Sequence, residues 1–232
     1  MNILAIDTSG PVCGVAILKD GKVCWEAAAM NKLNHSVSLM PMIEEALAHA
    51  DMTLDSIDLF AAVKGPGSFT GVRIGISAVK ALAHAKNKPC IGIDALEAMA
   101  QGAGYFDGVL CPIQDARAGQ VYGAFFDGRT LERLSEDDAL KIEEYCVKAE
   151  SFGRPLLFLG DGMPVLRDRI ASLLTEKAIF APENLYYLHP AAAAVLALKK
   201  LPEQTDYLTL SPLYLRPPRA EKQKNLVEHQ HE

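Results

Sequence analysis

The sequence has little that would advertise a ligand. Its five cysteines (Cys13, Cys24, Cys90, Cys111, Cys146) include no Cys-x-x-Cys pair, and their number is odd. Most fall in apolar strand-like runs, so reduced core thiols in a cytoplasmic protein are expected. No apolar stretch approaches the ~18 residues of a membrane span; the longest near the end is Ala191 to Leu198. No basic segment precedes the first apolar run, which Asp7 interrupts, so no signal peptide is read. Lysine and arginine are outnumbered, 23 against 29 acidic residues, for a net charge of −6. Without a dense basic cluster the chain does not advertise nucleic-acid binding on its own. Among the six histidines (His35, His49, His84, His189, His229, His231) no helical pair four apart stands in a plausible site. Ser9 and Ser68 are the serines nearest to a nucleophile's setting, and neither lies in Gly-x-Ser-x-Gly.

What the sequence does have is a core and one conspicuous loop. Half of its 232 residues are hydrophobic, enough for a sizeable interior in one or two domains. The apolar run Leu59 to Val63 leads into Lys64-Gly65-Pro66-Gly67-Ser68-Phe69-Thr70-Gly71-Val72-Arg73-Ile74-Gly75. Helical spacing then continues to Ala85, giving strand, glycine-rich loop and helix. Ligands often bind where such a loop meets a helix N-terminus. The P-loop pattern fails, since Lys64 precedes the glycines and Thr70 has no lysine before it; the dinucleotide pattern fails because Gly67 and Gly71 are four apart. The simpler reading is that the glycines let loop and helix lie flat on the sheet.

At 100° per residue, Arg73, Ser77, Lys80 and His84 form one narrow polar stripe of this helix. The rest of its circumference is apolar or small. A helix covering one sheet needs an apolar stripe only a little over ~100° wide. A second cover is therefore expected, either another layer of the same chain or a partner helix on the small-residue face.

In chain order, Asn2 to Ile6 is a strand ending at Asp7-Thr8-Ser9-Gly10. Val12 to Leu18 turns at Asp20-Gly21 into Lys22 to Ala29. A helix capped by Asn34 or Ser36 runs to about Ala50, with Pro41 inside it. After the glycine-loop helix come a strand, Pro89 to Ile93, and a short helix, Leu96 to Gln101. The pattern then restarts. Gly108 to Gln114 ends in Asp115-Ala116-Arg117, Gln120 to Phe126 turns at Asp127-Gly128, and Thr130 to Leu134 supplies a third strand. Helix Ile142 to Ala149, strand Pro155 to Leu159, Gly160-Asp161-Gly162 and helix Val165 to Leu174 follow. Pro190 opens an Ala-rich helix to Lys200. Two strand-hairpin-helix halves, each opening on a strand that ends in a carboxylate, predict a duplicated α/β architecture. The expected division is residues 1–103, then 104–216 with its last helix packing back on the first lobe, then a charged tail, 217–232.

Asp7-Thr8-Ser9, the Lys64 to Gly75 segment, Asp115-Ala116-Arg117 with Val121-Tyr122, and Pro212-Leu213-Tyr214-Leu215-Arg216 together resemble the TsaB (YeaZ) family. The resemblance implies a two-lobed, actin-like (ASKHA), ribonuclease-H-like ATPase fold. It implies a cytoplasmic partner of the related catalytic subunit TsaD, working with the ATPase TsaE. Together they place threonylcarbamoyl, from threonylcarbamoyl-adenylate, on the adenosine beside the tRNA anticodon. That catalytic paralogue carries His-x-x-x-His after the strand following its glycine loop, a spacing that lets two ligands share one metal. The matching positions here are Ala95 and Met99, neither a ligand, and Glu97 alone cannot hold a catalytic metal. The resemblance therefore implies a non-catalytic scaffold without a tightly bound cofactor, with ATP bound only in the complex and tRNA held indirectly.

Two other readings stay open. In many actin-like ATPases, carboxylates such as Asp7 and Asp115 organise magnesium and phosphate. With Thr8 and Ser9 they mark a nucleotide site for a kinase-like protein, testable by nucleotide-dependent thermal stabilisation. A metallopeptidase is the third class, opposed by Ala95 and Met99 and testable by metal content. The expected partner surface is the helix pair 34–50 and 70–85, through Leu39, Ile43, Gly71, Val72, Gly75, Ile76, Ala78, Val79 and Leu82. It would pair with a TsaD-like subunit or with a second copy as a homodimer.

Overall fold

The structure, a computed structural model, describes residues 1–30 and 34–216. The tail read from 217, with His229 and His231, lies outside the described residues.

The first lobe contains β1 (Asn2–Asp7), β2 (Cys13–Lys19), β3 (Lys22–Ala29), α1 (His35–His49), β4 (Leu59–Gly65), α2 (Phe69–Lys86), β5 (Cys90–Asp94) and α3 (Ala95–Ala103). Its sheet runs β3-β2-β1-β4-β5. The hairpin partners are antiparallel, and β1, β4 and β5 are parallel. Parallel neighbours need a crossover, which α1 and α2 supply. At the β2–β3 turn, Asp20 and Gly21 both take positive φ (50° and 78°), the backbone a tight hairpin of this kind requires.

The second lobe repeats the plan with β6 (Val109–Asp115), β7 (Gln120–Gly123), β8 (Phe126–Asp127), β9 (Asp138–Lys141), α4 (Ile142–Glu150), β10 (Leu156–Leu159), α5 (Met163–Leu174) and β11 (Ala178–Phe180). Its order, β9-β7-β6-β10-β11, matches the first sheet, with β8 an extra pairing on β6. This is the actin-like, ribonuclease-H-like fold with two mixed sheets flanked by helices. The third strand is Asp138–Lys141, not Thr130 to Leu134. Asp127 Oδ1 accepts from the amides of Arg129 and Thr130 (2.8 and 3.0 Å), and Leu131 takes a φ of 62°, which breaks an extended run.

Side-chain alternation places the cores. Leu4 and Ile6 of β1 face α1 and α2, while Ile3 and Ala5 face α3 and α6 (Pro190–Lys199). The latter cluster also takes in Leu110 of β6 and Leu159 of β10, so α3 and α6 fill the space between the two sheets. A third cluster, around Tyr145 and Phe158, lies beneath α4 and α5. Cys13, Cys90, Cys111 and Cys146 are buried; Cys24 is exposed on edge strand β3, and all five are free thiols. Among the described residues no helix is long and apolar enough to cross a membrane.

The last described segment returns to the first lobe. Thr205 bridges Cys90 of β5, Leu210 is buried in the α1–α2 core, and the Leu213 amide donates to the Lys64 carbonyl (2.7 Å). Arg216 then reaches the second lobe, donating to the Ala116 carbonyl (3.4 Å) and lying over the Tyr122 ring.

Candidate functional site

The glycine loop closes on the end of β1. Thr8 Oγ1 donates to the Gly71 carbonyl (2.7 Å), and the Ser68 amide donates to the Ser9 carbonyl (2.7 Å). A β-carbon on Gly71 would stand 2.0 Å from the Thr8 carbonyl oxygen. The Gly71 amide is taken by Ser68 Oγ at 3.2 Å. The donors a phosphate would need at this helix start are thus partly spent inside the chain.

This packing corrects the expected partner surface. Leu39, Ile43, Gly71, Val72, Gly75, Ile76, Val79 and Leu82 are buried within this chain. The small residues let α2 sit on its own strand β1, and α1 and the 205–214 segment cover its flanks. The polar stripe is also engaged. Arg73 Nε donates to Tyr214 Oη (2.7 Å), Lys80 Nζ donates to the Leu210 carbonyl (3.0 Å), and His84 packs on Tyr207. Of the expected surface only Ala78 keeps partial exposure. It lines, with Met40, Phe69, Arg73 and Ile74, an apolar groove of about 490 Å³ between α1 and α2. Val37 and Met40 are the exposed large hydrophobic residues of α1.

A second concavity lies between the lobes. Asp7 is buried at the end of β1, and its Oδ1 accepts from the Ser9 amide (2.8 Å) and Ser9 Oγ (2.7 Å). Burial lifts the Asp7 carboxyl to about 6 despite those bonds. Opposite, β6 ends at Gln114 and Asp115, and Asp161 follows β10. The Asp115 amide donates to Asp161 Oδ1 (3.0 Å), and the Arg117 amide to Asp115 Oδ1 (2.8 Å). Burial, with repulsion from Asp7 and Asp115, pushes Asp161 up to about 7. The cleft, about 550 Å³, is lined by Ser9, His35, Gly67, Asp115, Tyr122 and Asp161, among others. His35 Nε2 bonds the Gly10 carbonyl (3.0 Å), which ties the start of α1 to the cleft wall.

Of the nucleotide residues read from sequence, Asp7, Thr8, Ser9 and Asp115 all stand at or beside this cleft. Thr8 and Ser9 spend their hydroxyl protons on Gly71 and Asp7. Asp161 and Gln114 escaped the reading, although Gly160-Asp161-Gly162 repeats the strand-end carboxylate already noted at Asp7. Three carboxylates with one outward-facing guanidinium, Arg117, give a polyphosphate no matching inner cation from these residues. Ala95 and Met99 are buried in the apolar α3 core. Among the described residues no group of three or more His, Cys, Asp or Glu is placed to hold a metal ion.

The chain is 35% identical to the TsaB protein of Bacillus subtilis, "tRNA threonylcarbamoyladenosine biosynthesis protein TsaB", over 95% of this chain and 96% of that one. The chain belongs to the TsaB family. The TsaB of Haemophilus influenzae is 31% identical, with 93% and 94% covered. A family model described as "TsaD: tRNA N6-adenosine threonylcarbamoyltransferase" matches residues 29–224. Among solved structures, YeaZ from Pseudomonas aeruginosa superposes with a TM-score of 0.79 at 26% identity, covering 92% of this chain and 99% of that one. Component A of (R)-2-hydroxyglutaryl-CoA dehydratase from Acidaminococcus fermentans superposes at 0.50 and 12% identity, covering 86% and 98%. At that identity the likeness concerns the fold alone. The names of these relatives attach the TsaB family to tRNA threonylcarbamoyladenosine biosynthesis.

Proposed function

We propose that this chain is the non-catalytic scaffold of a threonylcarbamoyl transferase complex. It binds and activates a TsaD-like catalytic subunit, with a TsaE-like ATPase joining them. The observation that carries this reading is the exposed apolar groove between α1 and α2, on a chain with Ala95 and Met99 where the paralogue resemblance places metal ligands. The family model that matches this chain is described for TsaD, so a TsaD protein has a related helix pair to offer. Two such pairs can meet about a pseudo-two-fold axis, each contributing the same surface. Phe69 and Met40 then supply buried apolar contact, and Arg73 supplies the rim. No cofactor is held tightly by the isolated subunit, and ATP enters only in the assembled complex, where a partner contributes the missing cations.

Substituting Ile74 by arginine tests this. Ile74 is half-buried and lines the groove. The variant is expected to melt about 2–4 °C below wild type and stay folded, because Ile74 packs partly on the α1–α2 core and its replacement forfeits about 1 kcal/mol of apolar contact. Co-purification with a TsaD-like subunit should drop by ~10-fold or more. Normal yield of the complex from a folded variant would place the partner elsewhere. A variant that loses only self-association, by light scattering, would make the groove a homodimer surface.

The isolated protein is further expected to bind tRNA only weakly, with a shallow salt dependence, and to modify none. With a net charge of −6 it lacks the cationic surface that produces a steep slope. Sub-micromolar binding, or modification of tRNA without a second subunit, would contradict the scaffold reading.

A further inference from the structure

Gln114 stands apart from every other side chain of the cleft. It is 2% exposed, and neither its Oε1 nor its Nε2 has a hydrogen-bond partner. Buried amides are nearly always bonded, and leaving both ends unpaired is costly. Gln114 lines the interlobe cleft and also a small recess of about 10 Å³ that it shares with Asp7 and Asp161. The same short stretch of wall thus carries an amide with nothing to bond, the buried carboxyl of Asp7 and the half-buried one of Asp161, with a third, Asp115, next to Gln114 in sequence.

We infer that the interlobe cleft binds a small organic cation bearing N–H donors, an alkylammonium or guanidinium, held by Asp161 and Asp115 with Gln114 Oε1 as a neutral acceptor. The chemistry of the wall selects this class. Its free groups are mostly acceptors, the remaining carboxylate oxygens and the amide oxygen, beside two neutral donors, Gln114 Nε2 and the Tyr122 hydroxyl. Ser9 Oγ donates to Asp7, and His35 is spent on the Gly10 carbonyl. The guanidinium of Arg117 is 4.0 Å from Asp115 Oδ2, and its side chain is 80% exposed, so it leaves the inner wall unneutralised. An anion would meet three carboxylates there. A bare metal ion lacks a ligand set, since no suitable group of three His, Cys, Asp or Glu is present among the described residues. An ammonium needs no coordination geometry; it needs acceptors and a deficit of positive charge, and both are present. Burial raises both the Asp7 and the Asp161 carboxyls, and repulsion from Asp7 and Asp115 adds to the rise at Asp161.

Putrescine is the probe, titrated calorimetrically into the full chain at about pH 8, where Asp161 is ionised. Saturable binding is expected with a Kd of about 1 mM or tighter. Affinity should fall ~10-fold or more in Asp161→Asn and by a smaller factor in Gln114→Leu. Tetramethylammonium, with the same charge type and no N–H, should not compete. Asp161→Asn keeps an Oδ1 for the Asp115 amide; Asp115→Asn is the second variant should it misfold. Four results would overturn the inference: no heat with putrescine, equal affinity in Asp161→Asn, competition by tetramethylammonium, or saturable Mg²⁺ binding at the same carboxylates in place of putrescine. If Gln114→Leu binds putrescine as wild type does, the amide's partner is a single buried water and the site does not include it. None of these measurements depends on the catalytic partner, so their failure leaves the scaffold reading untouched.

Discussion

Replacing Gly71 by alanine is expected to lower the unfolding midpoint by about 6–12 °C. Helix propensity alone points the other way: alanine is favoured over glycine inside a helix by ~1 kcal/mol. Here the new β-carbon would stand 2.0 Å from the Thr8 carbonyl oxygen and 3.2 Å from its carbon. That oxygen belongs to the turn after β1, whose neighbours on both sides fix its register. Relief therefore requires α2 to lift from the sheet. The Thr8 Oγ1 to Gly71 carbonyl bond would stretch, and Val72 and Ile76 would part from Leu4 and Ile6. Overpacking costs ~1–3 kcal/mol and occasionally more. With a backbone atom as the obstacle, ~3 kcal/mol is a floor, and at 2–4 °C per kcal/mol for a chain of this size the shift follows. Thermal melting by circular dichroism decides the sign; a midpoint at or above wild type would mean that α2 does not rest on β1 as described.

Asp161→Asn is expected to stabilise the protein at about pH 8 by roughly 3–4 kcal/mol and to have little effect near pH 4. Burial holds the folded carboxyl near 7, against 3.8 for an unperturbed aspartate. Between those values the folded state keeps a proton that the unfolded state has released. The contribution of Asp161 is thus most favourable below its unfolded pKa and declines as pH rises through 7. Asp7, at about 6, acts in the same direction. So does Asp94, lifted to about 7 by burial and by sharing its surroundings with Asp137, while Arg133 bridges the two. The wild type should therefore melt at a higher temperature near pH 5 than near pH 8, the reverse of proteins whose carboxylates are ionised partners. Melts of both proteins across pH 4–9 are the check. A gain from Asp161→Asn that does not grow with pH would mean that the wild-type carboxylate is already stabilised by a neighbour.

Much of this fold could be read from local pattern. The order of the first eight elements, the hairpin at Asp20-Gly21 and the carboxylate ending each opening strand all have short-range signals. The segment around Arg133 did not, because its backbone is set by the side chain of Asp127 and by a left-handed Leu131. Asp138–Lys141 lacked apolar alternation, so its pairing with β7 was invisible. β11, three residues long, carried no signal of its own. The helix α2 was read correctly as apolar nearly all round, yet its covers could not be assigned. They are β1, β4, α1 and the 205–214 segment, whose Leu210 carbonyl accepts from Lys80 across 130 residues of chain. The cleft shows the same limit. Asp7 and Asp115 announced themselves at strand ends, but Gln114 is a polar residue inside a buried strand, and only the tertiary surroundings reveal that it has no partner.

That final stretch of chain has a consequence for the order of events during synthesis. The strands and helices of the first lobe leave the ribosome first, yet beside α3 the β1–β2 part of one face of their sheet stays open until Ala193, Ala194 and Ala197 of α6 arrive. The other layer lacks Leu210 until later still. By then the second lobe has also emerged. The older half therefore waits for the younger one: at ~5–20 residues per second, several seconds separate the synthesis of its first strands from that of α6 and Leu210. A nascent chain stalled at residue 185 would present the ribosome's surroundings with a sheet lacking the α6 half of its inner cover, a natural client for chaperones.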